Sequence, residues 1–195
     1  MYKKKLKRLF DLLLVILGIF PLVLIAIPIM FAIIIDSRGG VFFKQKRLGT
    51  NGNVFEIYKF RTMVKNAESI GTGIYTDDND PRITRIGNFL RKTSLDELPQ
   101  VINVLKGEMS FVGPRPPVPY HPYKVSEYSS EQFKRFDVKP GITGMAQAYG
   151  RNSLTWDERI VYDVQYADNV TFLLDLKIII KTAGTIVKKE NIYRE

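Results

Sequence analysis

"LLLVILGIFPLVLIAIPIMFAIII", Leu12 to Ile35, carries no charge and is longer than the roughly 20 residues a helix needs to cross the hydrocarbon of a bilayer. A cleavable signal peptide has an apolar core of only about 7–15 residues, followed by a small-residue cleavage motif. This run ends instead in Asp36-Ser37-Arg38-Gly39-Gly40, so it is read as a retained membrane segment. Its flanks decide whether it crosses. Lys3, Lys4, Lys5, Lys7 and Arg8 precede it, and Arg38, Lys44, Lys46 and Arg47 follow. Basic flanks belong in the cytoplasm, and a single span would place one cluster on the wrong side. A helix that enters, breaks and returns to the same face satisfies both. Pro21 and Pro28 are the candidate break points, because each removes an amide donor from the helical ladder. A span kinked at proline is the competing reading, and the charge symmetry favours re-entry.

The remainder of the 195-residue chain suffices for one domain, and an apolar share of 45% supplies its core. With no cysteine, disulfide frameworks and thiolate metal sites are excluded. A formal net charge of +9 points to anionic partners: phospholipid, nucleic acid or phosphorylated small molecules.

Val41-Phe42-Phe43 and Val54 to Phe60 are rich in β-branched and aromatic residues and flank Gly49-Thr50-Asn51-Gly52-Asn53. That pattern predicts a β-hairpin. Lys65 to Asp80 reads as a polar loop, and its Asp77-Asp78-Asn79-Asp80 run lacks the glycine and distal glutamate of a calcium loop. Helices are expected near Ile83–Arg91 and Leu95–Leu105. "FVGPRPPVPYHP", Phe111 to Pro122, is held extended by its prolines. Thr155-Trp156-Asp157-Glu158 is a capping box opening a further helix that carries Tyr162, Asp163 and Tyr166. On a last helix, Phe172, Leu176, Ile179, Ala183 and Ile186 form one stripe with Lys177, Lys181 and Lys188 opposite. Such a basic amphipathic helix suits either a core or an anionic membrane surface.

"KTSLDELPQVINVLKGEMSFVGPRP", Lys92 to Pro116, holds the candidate chemistry. Ser94-Leu95-Asp96-Glu97 fits a capping box, with acids suited to the positive helix end. Neighbours on a helix project away from each other, so Asp96 and Glu97 do not flank one bond as the paired carboxylates of a glycosidase do. Two separate jobs fit better: one carboxylate attacking phosphorus or holding a metal, the other moving a proton or holding a partner. An anion attacking a phosphoryl group needs a divalent cation and several basic side chains. Arg91, Arg115 between its prolines, Lys59 and Arg61 on one strand face, and Arg151 are the candidates. A lone basic residue is more often a solvated surface charge, and Arg115 is the least so because its prolines cut the entropy of presenting it. His121, the single histidine, has no nucleophile elbow beside it, and no phosphate-binding glycine motif is present. Trp156 is expected to pack at a helix start. Asp163 reads as a buried acid with a tyrosine partner.

In order along the chain, "KRLFD", "VFFKQKRLG", "FEIYKFRTM", "LRKTSLDELPQVINVLKGEMSFVGPRP", "VKPGITGMAQAYGRN" and "YDVQYA" resemble the monotopic phosphoglycosyl transferases, the bacterial sugar transferase family. The resemblance implies an α+β fold. A re-entrant membrane helix over residues 1–37 would precede a small mixed α/β catalytic domain over 38–195, with a β-hairpin and interfacial amphipathic helices. It implies transfer of a sugar-1-phosphate from a UDP-sugar to polyprenol (undecaprenyl) phosphate, giving a polyprenyl diphosphate sugar and UMP, at the cytoplasmic face of the bacterial inner membrane. Asp96 would be the nucleophile and a ligand of Mg2+, and Glu97 would assist proton transfer or orientation. Lys59, Arg91, Arg115, Arg151 and Asp163 would bind substrate. Membrane lipids are implied partners and nucleic acid is not. One departure stands out: the family commonly breaks its membrane helix at a Ser-Pro pair, where this chain has Phe20-Pro21, about one turn earlier, and then Pro28. Direct displacement without a covalent intermediate, and a non-catalytic basic membrane scaffold binding anionic lipid or nucleic acid, are the competing readings.

Overall fold

The apolar run forms the centre of a single long helix. The computed structural model describes residues 2–67, 80–150 and 154–187, so Arg151, Lys188 and most of the Lys65–Asp80 loop lie outside the described residues. Helix α1 (Lys7–Asp36) continues through both prolines. The expected unwound break at Pro21 or Pro28 is therefore replaced by a continuous helix, in which a proline costs one hydrogen bond and favours a bend. Ile16, Leu17, Phe20, Leu24 and Phe31 are exposed along its middle. It is the one helix among the described residues long and apolar enough to cross a membrane.

Both ends of α1 are bound to the rest of the protein. Near its start, Arg8 donates to the carbonyls of Val104 and Leu105, and the carboxylate of Asp11 accepts from Ser110 Oγ and the Phe111 amide at 2.9 and 3.0 Å. Lys7 Nζ lies 2.6 Å from Asp175 Oδ2. Near its end, Ile29 and Ile33 pack with Phe60 and Leu90, and Asp36 Oδ2 accepts from the Ile86 amide.

The expected hairpin is present. β1 (Phe42–Leu48) pairs antiparallel with β2 (Val54–Phe60), from Phe42 opposite Phe60 to Leu48 opposite Val54. Its turn uses Asn51 and Gly52 at positive φ, conformations that those residue types tolerate. Arg61 lies just past β2. Its guanidinium donates to the carbonyls of Arg38 and Ser37 at 2.7 and 2.8 Å, which satisfies groups left open at the end of α1. Arg61 thus caps a helix and does not join Lys59, because the strand alternation ends at Phe60. Gly39, at φ 134°, is required there: a Cβ would sit 1.9 Å from the Arg61 guanidinium.

α2 (Arg85–Thr93) is capped by Thr84, whose Oγ1 accepts from Gly87 N. Next come a 3₁₀ segment, Leu95–Gln100, and the short α3 (Val101–Lys106). Pro99 explains why Leu95–Leu105 is not one α-helix, since it has no N–H and its ring clashes with the carbonyl four residues back. β3 (Ser110–Val112) and β4 (Gly141–Thr143) pair in parallel. Gly113 donates to Thr143 O and Gly141 to Pro114 O. A Cβ at Gly141 would meet Gly113 N at 2.1 Å, so only glycine permits this contact. The stiff segment after β3 is tied to the hairpin by Leu48 N donating to Pro117 O and Arg47 to Pro116 O.

α4 (Ser130–Phe133), α5 (Met145–Tyr149), α6 (Trp156–Asp168) and α7 (Phe172–Val187) complete the described α-helices. The capping box at Thr155 and Glu158 forms as expected. On α7 the stripe divides between the two expected settings: Ile179 packs against the core, and Phe172 and Leu176 are exposed. Asp175 and Ile178 are fully buried, whereas Phe172, Leu173, Leu176 and Ile180 are exposed. The core side is built around a polar hub: Asp175 accepts from Tyr2 and Tyr166 hydroxyls at 2.6 and 2.7 Å and pairs with Lys7. This hub and the packing of Leu174, Ile178 and Ile179 into the apolar core together orient the helix.

Candidate active site

Asp96 and Glu97 lie in the first turn of the 3₁₀ segment, and the local geometry corrects the capping-box reading of Ser94. Ser94 adopts the left-handed conformation (φ 57°, ψ 16°) and makes no side-chain cap; its amide donates to the carbonyls closing α2. A non-glycine residue in that region stores roughly 1–3 kcal/mol. The chain reverses there and presents both carboxylates toward β2.

Glu97 Oε1 receives two cations, Lys59 Nζ at 2.7 Å and Arg115 NH2 at 2.9 Å. Lys59 Nζ also lies 3.8 Å from Asp96 Oδ2. Lys59 reaches this point from β2, and α3 is locked to that strand by the buried Asn103. The Asn103 amide donates to Glu56 O at 2.7 Å and accepts from Tyr58 N at 3.0 Å. Arg115 is delivered by the stiff Gly-Pro-Arg-Pro turn over the β3–β4 contact. Arg91 donates through Nε to Thr62 Oγ1 at 3.0 Å and lines the same cavity as the two carboxylates.

The two acids are shifted in opposite directions. Burial pushes Glu97 up, but Arg115 and Lys59 outweigh it and keep its carboxylate well below the ordinary range. Asp96 is raised, first by burial and then by the Glu97 charge, with Lys59, Arg115 and Arg91 opposing. Glu97 is thus an ionised anchor for two cations. Asp96, whose nearest cation stands at 3.8 Å, is the more available carboxylate.

These groups border a cavity of about 710 Å³. Leu14, Val15, Gly18 and Leu22 of α1, with Val101 and Ile142, give it an apolar side. Asp163 also lines it, but its partner is not a tyrosine: Oδ2 pairs with Arg135 NH2 at 2.6 Å, with both side chains buried. Burial raises the Asp163 carboxyl to about 6 against the pull of Arg135. Tyr166, the expected partner type, is committed to Asp175. Arg135 was missed in the sequence because "QFKRFD" carries nothing to separate it from surface charge. Trp156 borders the cavity as well as packing edge-on to His121 at 5.6 Å. Among the described residues no group of three or more metal-ligating side chains occurs.

The model of the family described as bacterial sugar transferase matches residues 2–189. The chain is 44% identical over 191 residues to the uncharacterized sugar transferase EpsL of Bacillus subtilis (strain 168), covering 96% of this chain and 90% of that protein. It is 37% identical over 205 residues to an undecaprenyl-phosphate galactose phosphotransferase of Salmonella typhimurium, covering 96% of this chain and 42% of that protein. It is 40% identical over 182 residues to a UDP-glucose:undecaprenyl-phosphate glucose-1-phosphate transferase of Xanthomonas campestris, covering 91% and 37% respectively. It thus spans nearly all of the Bacillus protein but well under half of the other two. A match from residue 2 to residue 189, through every motif around the Asp96–Glu97 cavity, makes the chain a member of the bacterial sugar transferase family.

Proposed function

We propose that this protein moves a sugar-1-phosphate from a UDP-sugar to polyprenol phosphate, yielding a polyprenyl diphosphate sugar and UMP through a covalent Asp96 intermediate. The carrying observation is the single cavity in which Asp96, Glu97, Lys59, Arg91 and Arg115 face an apolar wall supplied by α1. One substrate is a polyanion and the other a phosphate on a long apolar chain, and this cavity has a side suited to each. The names of the Salmonella and Xanthomonas relatives support the same substrate classes.

In this reading an Asp96 carboxylate oxygen attacks the β-phosphorus of the UDP-sugar. The bond from that phosphorus to the bridging oxygen breaks, and UMP leaves with the electron pair. The resulting acyl-phosphate carries the sugar. A phosphate oxygen of the polyprenol then attacks the same phosphorus and frees the Asp96 carboxylate. Lys59, Arg91 and Arg115 offset the repulsion between anions, and Arg115 and Lys59 are aimed by Glu97, which remains ionised and so serves orientation rather than proton transfer. Arg151 is retained as a substrate-binding candidate on the family resemblance.

Mg2+ fits Asp96 by donor chemistry. This hard ion takes one or two carboxylates and completes its shell with water and substrate phosphates, and Asp96 is the carboxylate not consumed by a close ion pair. When bound, the ion supplies further neutralisation of the diphosphate.

The attachment of both ends of α1 to one domain supports re-entry. Residues 1–37 would dip into the cytoplasmic leaflet of a bacterial inner membrane and return, and 38–195 would form the catalytic part. The exposed apolar residues of α7 suit the same surface. The reading is tested by incubating the purified protein with a panel of UDP-sugars, undecaprenyl phosphate and magnesium. UMP release that depends on one or more of these sugars is expected; no release from any would overturn it.

A further inference from the structure

The same cavity is also lined by residues with polar atoms that find no partner among the described residues. Arg135 comes from the turn after α4, Gln147 from α5, and Asp163 from α6, and all three line the cavity. Arg135 is 2% exposed and Asp163 is 2% exposed. Arg135 donates to Asp163 Oδ2, to Arg115 O at 3.0 Å and to Tyr128 Oη at 3.3 Å, yet its Nε is buried without a partner. Asp163 Oδ1 and both polar atoms of the Gln147 amide are likewise buried and unpaired. A buried polar group left unpaired is uncommon and destabilising. Three such residues lining one cavity indicate a ligand that brings both donors and acceptors.

The ligand classes separate on that criterion. A phosphate only accepts, so it would leave Asp163 Oδ1 without a donor and be repelled by its charge. An isoprenoid chain satisfies none of the groups. A uracil edge offers one donor between two acceptors, too few donors for both Gln147 Oε1 and Asp163 Oδ1. Ring hydroxyls each donate and accept. Trp156, seven residues before Asp163 on α6, falls on the same helix face and also lines the cavity; Arg159 lies over its ring at 5.3 Å, which leaves the other ring face for the apolar C–H face of a sugar.

We propose that Gln147, with the unpaired atoms of Arg135 and Asp163 and the ring of Trp156, binds a hydroxyl-bearing carbohydrate ring of the donor and sets which ring is accepted. This rests on the UDP-sugar reading, and the donor contains two such rings, the hexose and the ribose. The intact protein is tested with UDP-glucose, UDP-galactose and their 2′-deoxyribose analogues. Binding is read from the fluorescence of Trp156, the single tryptophan, and turnover from UMP release. In the parent, binding perturbs this fluorescence, and loss or inversion of a read hydroxyl lowers kcat/KM by tenfold or more. In Gln147→Ala, and in the shape-preserving Gln147→Glu should the alanine variant fail to fold, that discrimination falls to within about threefold. KM carries most of the change, as expected for a lost binding contact. Collapse of the hexose preference assigns the subsite to the hexose; collapse of the 2′-deoxy penalty alone assigns it to the ribose. A folded variant that retains both discriminations overturns the proposal, as does a parent that shows neither. Discrimination in the fluorescence-read affinities, with no UMP release from any UDP-sugar of the panel, would refute the transferase reading while leaving the subsite standing.

Discussion

Replacing Lys59 by methionine tests the electrostatics of the site. Methionine keeps the length and apolar stem and removes one charge. Lys59 Nζ lies 3.8 Å from Asp96 Oδ2 and 2.7 Å from Glu97 Oε1, and these side chains are only 14–16% exposed. At that separation and an effective dielectric constant of about 20, the Lys59–Asp96 attraction is about 4 kcal/mol. Competition from the closer Glu97, with Arg91 and Arg115 remaining, reduces the effective loss to about 1.5–3 kcal/mol, or roughly one to two units of pKa. The sign follows from the role of the charge. Asp96 must be ionised to attack, removal of a cation disfavours the ionised form, and its titration moves up. Asp96 is already raised by burial, and in Lys59→Met the acid limb of kcat/KM should move further up from its position in the parent. Activity on the acid limb should fall by up to roughly tenfold to a hundredfold and recover as the pH rises. Glu97→Gln should move the limb in the opposite sense, because the Glu97 charge raises Asp96. UMP release measured from pH 5 to 10 reads all three profiles. A Lys59→Met limb that stays put or moves down would refute the reasoning and reduce Lys59 to a phosphate contact.

Asp175→Asn strands Lys7 in a buried site beside Tyr2 and Tyr166, so unfolding in detergent should be easier by about 3–5 kcal/mol; a loss under 1 kcal/mol would remove the hub from the stability of the fold. Chelation with EDTA should stop turnover and Mg2+ should restore it, whereas full activity in the chelator would eliminate the metal. Single cysteines at positions 4 and 46 should both resist a membrane-impermeant thiol reagent in intact cells and react once the cells are opened. Labelling of position 4 alone in intact cells would mean a spanning helix.

Much of this site was legible because its residues sit in locally decisive sequence. Proline fixes the backbone around Arg115, alternation places Lys59 on β2, and the hairpin and the Thr155 cap follow from turn and cap chemistry that acts over a few residues. The errors arise where tertiary contacts overrule local pattern. Ser94 had the composition of a cap, but the chain reverses there and spends the residue on a left-handed turn. Arg61 seemed to continue an alternation that Phe60 ends. The pattern of α7 left a core face and a membrane surface both open, and its buried side is set by Asp175, whose partners Tyr2 and Lys7 lie far away in sequence. The parallel pairing of β3 with β4 rests on glycine and proline segments with no period. Arg135 and Gln147 gain their meaning only when the folded chain brings three separate elements to one cavity.

A covalent sugar-phosphoryl Asp96 is most directly tested by mass spectrometry of the protein mixed with its UDP-sugar and magnesium, without polyprenol phosphate. A burst of UMP close to one equivalent is expected, with a sugar-phosphate mass increment on the peptide containing Asp96. Both should disappear in Asp96→Asn, while its fold and membrane association persist. UMP release that begins only when polyprenol phosphate is added, with no adduct at any time, would contradict the covalent route and leave direct displacement.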